Sequence, residues 1–454
     1  MRSMLSGNSA LSGRLARSSI VAFGIHIGGA GLTYCMQLLI ARTAGADGFG
    51  IYIYVFAWIT MLAYLAGLGF DVSLLRFVSA YQAQGDWALL RGVIRYAERW
   101  AAITGLAVAV AGMAIVKFLV HSQSPDLTNT FVIGFCLVPV LALLWIRSSI
   151  VRAFGGVVSA LAPDRMVRDG LLLCLIGFAV FVLGWHLDAS TAMLGTLLSA
   201  LAGLGLVSWA KRRWMPQAAY ATPPANAGRT WARAALPLVI IGVTSVAVNR
   251  TGVMLLGWNG QITDAGIYAL AFNVAFLAVL PQTAINALFA PAIAGLFARK
   301  DLAALQALAT KTSVWMLLSA TCIALPLALL AEPLLSWFGR DFTAGVSALR
   351  FLLAGQVIAA GAGSQLYLLT MTGHERSAAT LMLLNVVVNA GLGAVLIHFF
   401  GLTGAAIGAT ATLILWNIAM VLLIRRTLHV VPSALAAFRL PSVGRTQVSR
   451  VRPV

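Results

Sequence analysis

One arginine stands within a long apolar stretch and needs a physical explanation. Arg250 lies inside the apolar run 236–271, directly after Asn249. A cation in hydrocarbon costs roughly 2.5–3.5 kcal/mol on insertion scales, so it must face a cavity, a partner, an anionic ligand or the headgroups. In a cavity, a guanidinium pairs bidentately with phosphate oxygens. Arg250 and Asn249 are therefore predicted to bind an anionic group. The alternative is that Arg250, about 12 Å from the outer helix end, extends to the interface.

Carboxamide side chains within apolar runs form a second set of candidates. Gln282 and Asn286 are four residues apart, as are Asn385 and Asn389, so each pair lies on one helix face. Such a face suits a sugar-binding cavity, and it equally suits interhelical hydrogen bonds worth about 0.6–2 kcal/mol each. The residues with these two interpretations are Gln37, Asn273, Gln282, Asn286, Asn385 and Asn389.

Three charged residues near the ends of apolar runs also have two interpretations each. Asp71 and Arg76 are five residues apart near the inner end of the second run, and the favoured interpretation is an interfacial ion pair. Arg147, at the end of the fourth run, is favoured as a positive anchor, because cytoplasmic segments retain cations. The alternative for Asp71 and Arg76 is a contact with the substrate, and the alternative for Arg147 is to guide a headgroup in from the cytoplasm.

The composition identifies the environment of these residues. The chain has 454 residues, of which 60% are hydrophobic and 10% charged, and its mean hydropathy is +0.92. A soluble domain has about 25% charged residues, so this is predicted to be a polytopic membrane protein. The net charge of +18 comes from Arg and Lys in short segments between apolar runs. That placement favours the positive-inside rule over nucleic-acid binding.

A helical span needs about twenty apolar residues. The sequence contains twelve such runs: 18–41, 49–70, 97–120, 129–149, 166–186, 190–210, 235–258, 267–297, 312–331, 346–371, 378–400 and 402–424. The distribution of Arg and Lys then places both termini in the cytoplasm. The predicted organisation is a basic N-terminus at 1–17, an N-lobe at 18–210, a linker at 211–234, a C-lobe at 235–424 and a basic tail at 425–454.

Three short markers recur at a nearly constant spacing. Gly-Ile-Tyr at 50–52 returns at 266–268, an offset of 216 residues, and Gly85-Asp86 is matched by Lys300-Asp301 with an offset of 215. The third marker is a glycine-containing helix end near 155 and again near 373. Two copies of six helices enter the membrane with the same orientation, which is a parallel repeat. Transporters built in this way place the substrate path between the copies.

The order of these motifs resembles a known family. It comprises Ala-Arg-x5-Gly-Phe-Gly-Ile-Tyr at 41–52, Gly-Leu-Gly-Phe-Asp-x4-Arg-Phe-Val at 67–78, Gly-Asp at 85–86, the second Gly-Ile-Tyr segment at 257–271 and Gly-Leu-Thr-Gly-Ala-Ala-Ile-Gly at 401–408. This order is similar to that of the bacterial polysaccharide flippases of the multidrug/oligosaccharidyl-lipid/polysaccharide exporter superfamily. The resemblance covers roughly residues 15–425.

The resemblance implies an all-α fold of twelve transmembrane helices in two six-helix lobes, V-shaped around a central cavity. It also implies a function, which is to move undecaprenyl-pyrophosphate-linked oligosaccharide units across the inner membrane for O-antigen, capsule or exopolysaccharide assembly. The expected partners are that lipid-linked substrate, the membrane lipids, a polysaccharide polymerase and a chain-length regulator, with no nucleic acid.

Enzyme signatures are missing from the sequence. It contains no P-loop, no GxSxG and no HExxH motif, and the expectation is a transporter without cofactor or metal, driven by a proton or sodium gradient or by product removal. One rival is a cation-coupled multidrug exporter, which would favour an intramembrane carboxylate where this chain has Arg250. Another is a membrane glycan polymerase, which would need a large outer loop with catalytic groups.

Overall fold

The computed structural model describes residues 2–119, 125–434 and 436, and every regular element in that part of the chain is helical. The first nine helices are α1 (Arg2–Ala66), α2 (Phe70–Gln84), α3 (Trp87–Leu119), α4 (Pro125–Ala153), α5 (Val157–Ala162), α6 (Arg168–Phe181), α7 (Ala189–Trp214), α8 (Gln217–Ala221) and α9 (Gly228–Trp258). The others are α10 (Ile262–Phe276), α11 (Leu280–Ala298), α12 (Leu302–Leu329), α13 (Ala331–Ser336), α14 (Val346–Ala362), α15 (Gln365–Met371) and α16 (Glu375–Leu428).

The helices agree with the predicted membrane spans. In the described ranges, nine stretches are long and apolar enough to cross a membrane. Two of them contain two predicted spans each, because Gly24–Gln84 has a non-helical residue at Gly45 and Ser377–Leu428 has one at Gly401. The one predicted span outside these stretches is the fifth, which contains the short α6. The predicted all-helical membrane architecture is confirmed.

The fifth predicted span, 166–186, is placed too late in the sequence. The helix begins at Val157, passes through a π-helical turn at Pro163–Val167 and ends at Phe181. A hydropathy count treats each charge between Asp164 and Asp169 as unpaired. These charges are paired with one another, as described below, and the helix continues through them.

The repeat is visible in the backbone as well as in the sequence. Four residues with left-handed φ angles in the first copy have a counterpart 215 to 218 residues later. The pairs are Gly45 with Gly260, Gly85 with Lys300, Gly155 with Gly373 and Gly184 with Gly401. A left-handed residue ends or bends a helix, and glycine adopts that conformation most readily. The two copies therefore interrupt their helices at equivalent points, which supports a parallel repeat.

The Gly-Ile-Tyr markers have an architectural role. A Cβ atom added to Gly266 would stand 2.7 Å from the Cα of Gly50, and one added to Gly50 would stand 2.3 Å from the carbonyl oxygen of Ile262. The start of α10 thus packs directly against α1 at glycine. The hydroxyl of Thr263 donates a hydrogen bond to the carboxylate of Asp47 beside this contact.

The chain forms two compact units. The first comprises Met1–Ile267 with Trp337–Phe342, and the second comprises Tyr268–Ser336 with Thr343–Val454. The core of the first includes the fully buried Trp231, Leu90 and Ile150, and the core of the second includes Ile293, Leu368 and Met420. The predicted linker lies within the first unit, and the six-helix lobes stay a prediction.

The predicted linker and tail both contact helices of their own units. In the linker, Ala225 donates its N–H to the carbonyl of Ala88 at 3.0 Å, and Arg91 donates to the carbonyl of Thr222 at 2.7 Å. After α16, the backbone N–H of Val431 donates to Gln306 at 2.7 Å. Most of the predicted tail, like the segment 120–124, lies outside the described residues.

Candidate functional site

Arg250 lies on the face of α9 that packs against α1. A Cβ added to Gly257, seven residues later on the same helix face, would stand 2.2 Å from the ring of Tyr54. A Cβ added to Gly242, eight residues earlier, would stand 3.7 Å from the ring of Tyr64. Arg250 is partly buried between these two contacts along the helix. Its side chain is therefore on a protein-facing side of α9.

Arg250 has no acidic partner in the part of the chain that the structure describes. No ion pair or hydrogen bond joins its guanidinium to a described residue, and Tyr52 and Arg168 lie within electrostatic range. A partly buried guanidinium within electrostatic range of a second one is repelled by it and loses hydration. An anion placed there would relieve both costs. Asn249, beside it, is exposed, and its amide donates to the carbonyl of Ser245 at 2.8 Å.

Arg168 belongs to a buried network of charges. Its guanidinium donates to the carboxylate of Asp164 at 2.8 Å and to that of Asp169 at 2.9 Å. Asp169 is only 3% exposed, which is too buried for an unpaired carboxylate, and its second oxygen accepts a hydrogen bond from Thr33 on α1. Tyr52 is buried beside this network and shares a hydrogen bond with Thr196 of α7 at 3.1 Å.

A π-helical turn positions the paired charges around Arg168. Pro163 has no N–H, so the preceding turn of α5 loses one backbone hydrogen bond. The N–H of Arg168 donates to the carbonyl of Pro163, which is a bond across five residues instead of four. Such turns occur often at functional sites. Here the turn aligns Asp164 and Asp169 with Arg168 between them, while α1 passes closely at Gly29, whose added Cβ would stand 2.8 Å from the Arg165 carbonyl.

Arg147 lies in a separate ion-pair cluster. Its Nε donates to Glu98 of α3 at 2.8 Å, and Lys211 of α7 donates to the same carboxylate at 2.7 Å. A second donor atom of Arg147 bonds Ser208. These contacts connect α3, α4 and α7, so Arg147 has a structural role in this arrangement. A role in guiding a headgroup stays a prediction.

The predicted ion pair between Asp71 and Arg76 does not form in the described chain. Five residues along a helix separate side chains by about 140° around its axis, which turns the two groups apart. Arg76 is exposed and lies over the ring of Phe77 at 5.9 Å. Asp71 lies in the first turn of α2, where a carboxylate is favoured by the positive end of the helix.

The predicted amides of the second unit have different environments. Asn286 accepts a hydrogen bond from Ser364, at the break between α14 and α15. The Nε2 atom of Gln282 is buried and has no partner in the described chain. Asn389 is buried and interacts with other residues of the protein. Asn273 and Asn385 are partly buried. In the first unit, Gln37 is also buried and interacts with other residues of the protein.

The sequence prediction missed Asp164, Arg168, Asp169 and Thr33. One signal was available, because Asp164 and Arg168 are four residues apart and follow the apolar segment 157–162. Extending the fifth span backward over that segment would have placed both charges on one helix face. No group of three metal-ligating side chains occurs among the residues searched in the described chain.

The sequence profile of a family described as polysaccharide biosynthesis protein matches residues 15–299. That range is more than half of the chain and contains both Arg250 and the Arg168 network. No curated protein matches the sequence.

The fold is similar to those of solved transporters. An inward-facing multidrug resistance MATE family transporter of the MOP superfamily matches with a TM-score of 0.72 and 15% identity, covering 91% of this chain and 96% of that one. A MOP superfamily transporter from Pyrococcus furiosus, for which reverse polarity of the binding pocket suggests a different function, has a TM-score of 0.62 and 16% identity, with 92% and 95% covered. A Vibrio cholerae MATE transporter has a TM-score of 0.60 and 16% identity, with 93% and 98% covered.

Proposed function

Because the chain belongs to the polysaccharide biosynthesis protein family and has the fold of MOP superfamily transporters, we propose that it is a flippase for lipid-linked oligosaccharides. Its proposed substrate is an undecaprenyl-pyrophosphate-linked repeat unit, which it moves across the bacterial inner membrane by alternating access. The translocated units would feed O-antigen, capsule or exopolysaccharide assembly. A polysaccharide polymerase and a chain-length regulator are the proposed partners.

The observation that supports an anionic substrate is the charge around Arg250. Arg168 is paired with the carboxylates of Asp164 and Asp169, whereas Arg250 is paired with neither. The positive charge of Arg250 is therefore left without a carboxylate among the described residues. A pyrophosphate brings several oxygens that accept bidentate hydrogen bonds from guanidinium, and these bonds strengthen where water is excluded. The glycan would be bound by carboxamides such as those of Gln37, Gln282 and Asn385, which stays a proposal for each residue.

We propose that translocation involves no chemical step on the substrate. Its energy would come from a proton or sodium gradient, or from removal of the product by the polymerase. The chain would then need no cofactor, and its role would be to shield the pyrophosphate and glycan from hydrocarbon.

A cation-coupled multidrug exporter is the second candidate, and one observation favours it. Asp164 and Asp169 lie in the helical segment 157–181, and a carboxylate is the group that would bind a cationic drug. Both carboxylates are, however, already paired with Arg168. They would have to exchange that partner for a cationic drug, whereas Arg250 is available to an anion without any exchange.

Replacement of Arg250 tests the proposal. We expect Arg250→Ala, at normal protein level, to abolish surface polysaccharide and to trap lipid-linked repeats on the inner leaflet. Loss of charge-assisted hydrogen bonds worth about 1.5–3 kcal/mol corresponds to a flux at least about tenfold lower. Polysaccharide output would be measured on gels, and lipid-linked repeats would be measured after extraction.

Arg212→Ala is the matched control, because Arg212 is an exposed arginine at the end of α7. It should retain full output. Wild-type output from Arg250→Ala would remove Arg250 from the mechanism. Full activity of Arg250→Lys would argue only against a bidentate contact.

A further inference from the structure

An apolar pocket of about 180 Å³ opens on the first unit, where the α1–α2 connection, α3 and α9 meet. Its lining includes Leu68, Phe70, Tyr96, Trp100, Ala235 and Val239. All three segments lie at the predicted inner ends of spans, which are the end of 49–70 and the beginnings of 97–120 and 235–258. The pocket is therefore at the depth of the inner-leaflet headgroups and the first carbons of their chains.

A break between two helices forms one wall of the pocket. Leu68 and Gly69 have φ angles of 50° and 70°, which ends α1 and begins α2. A Cβ on Gly69 would stand 2.5 Å from the carbonyl oxygen of Ala235, so the backbone of α9 packs directly on the break. At the equivalent place in the second copy, α11 is a continuous helix. Repetition of the scaffold therefore does not explain this wall.

The rim of the pocket is open and apolar, and exposed arginines lie close to its lining residues along the chain. Trp100 is 42% exposed and Leu236 is 65% exposed, which suits contact with lipid chains. Four exposed arginines lie within three residues of a lining residue along the chain, and none forms an ion pair with a described residue: Arg95, Arg99, Arg229 and Arg233. Aromatic side chains at the interface and basic residues beside anionic headgroups are typical of lipid-binding surfaces.

We propose that this pocket binds one acyl chain of an anionic phospholipid from the inner leaflet, with the headgroup phosphate among the surrounding arginines. The apolar lining accepts the chain, and the cations select the charge of the headgroup. A zwitterionic lipid offers the same chain but no net charge to the four arginines. The proposal uses no residue of the Arg250 site and does not depend on the substrate proposed above.

Native mass spectrometry of the full-length protein tests the proposal. The protein would be released from nanodiscs of phosphatidylcholine and phosphatidylglycerol, and the retained lipids would be counted. We expect preferential retention of phosphatidylglycerol. The double variant Arg99→Gln/Arg233→Gln should lower that preference on the order of tenfold, because each basic residue near an anionic surface contributes to binding. Ala232→Trp, at an exposed lining position, should lower retention by filling the space of the chain.

Arg212→Gln/Arg213→Gln is the control for total charge, since both residues are exposed at the end of α7. It should retain the lipid preference. An equal loss in this control would show attraction by net charge alone and overturn the pocket. Undecaprenyl phosphate that displaces phosphatidylglycerol at equal mole fraction, and does so less in Ala232→Trp, would overturn the phospholipid as occupant. The four arginines replaced in the two double variants are exposed, and unchanged thermal denaturation would verify that both variants fold.

Discussion

Arg168 and Arg250 differ in how their positive charges are neutralised. Arg168 is bound by two carboxylates, and this arrangement is tolerated because each charge in it has a partner. Arg250 has no such partner in the described residues and is only partly buried. Contacts within the protein neutralise the charge of Arg168, whereas the charge of Arg250 calls for an anion from outside the protein. This contrast is the residue-level argument for an anionic substrate.

The Arg168 network should contribute to stability through Asp169. We expect Asp169→Asn to lower the free energy of unfolding by about 3 kcal/mol, because it leaves a buried guanidinium with one carboxylate fewer. Thermal denaturation in detergent would measure the change. Asp341→Asn, at an exposed position, is the control and should denature like the wild type. Equal midpoints for the two variants would mean that the network adds nothing to stability.

Asp188 caps α7 outside the membrane-spanning segments. Burial raises the pKa of its carboxyl, but hydrogen bonds from Thr191 and Ser190 outweigh burial and hold the pKa below its usual range. Such a group stabilises the fold above its unfolded pKa, about 3.9, and loses that effect as the pH falls through the folded pKa.

We therefore expect Asp188→Ala to lower the free energy of unfolding by about 1 kcal/mol at neutral pH. The difference from the wild type should shrink below about pH 4, where the wild-type carboxyl becomes protonated. Thermal denaturation of both proteins across this range would show it. A difference of the same size at neutral and acidic pH would contradict the role of the ionised carboxylate.

At the level of elements, the backbone turns of the two copies are more similar than their amino-acid sequences. Gly85 precedes Asp86, whose carboxylate accepts from the N–H of Leu89 at 2.9 Å. In the second copy, Lys300 precedes Asp301, whose carboxylate accepts from the N–H of Ala304 at 2.9 Å. The turn geometry is the same, but the second copy places a lysine at a left-handed φ of 57°. The strain of that residue is local to the second copy.

Exchanging the residues of these turns should therefore have opposite effects. We expect Lys300→Gly to raise the free energy of unfolding by about 1 kcal/mol and Gly85→Lys to lower it by a similar amount. Denaturation in detergent would compare the two variants with the wild type. A destabilised Lys300→Gly protein would show that the lysine side chain makes a contact more valuable than the strain it causes.

Much of the element pattern could be predicted from the sequence. Apolar run length depends on bilayer thickness, so eleven of the twelve predicted spans coincide with long helical stretches. Apolar run length misplaces the fifth span, because the rule counts each of its charges as unfavourable. In the structure these charges are paired, which offsets the cost of burying them. The pairing depends on the π-helical turn and on Thr33 of α1, and neither is visible in a count of local hydropathy.

At the level of the whole molecule, the composition and the charge distribution predict a topology that labelling can test. Cys35, Cys136, Cys174 and Cys322 are all exposed, yet each lies in an apolar run. We expect these four side chains to face lipid. The site itself was predictable only in part, because the sequence indicates Arg250 but not the residues that distant helices bring beside it.

A membrane-impermeant maleimide should distinguish the two sides in intact cells. We expect His186→Cys to be labelled and Arg213→Cys to be labelled only after permeabilisation, because these exposed positions flank α7 on opposite sides. The four native cysteines should stay unlabelled, which gives the wild type as background. Labelling of Arg213→Cys in intact cells would invert the topology, and the positive-inside argument would be wrong.

The contact between Gly50 and Gly266 has a consequence for the origin of the chain. In a two-fold symmetric dimer, a residue on the axis meets the same residue of its twin. Gly50 and Gly266 are the same position of the two copies, and their backbones touch. A homodimer of one copy, with its two-fold axis at this position, would bring the same glycines together. The two copies differ elsewhere, because the position that corresponds to Arg250 in the first copy is Tyr34.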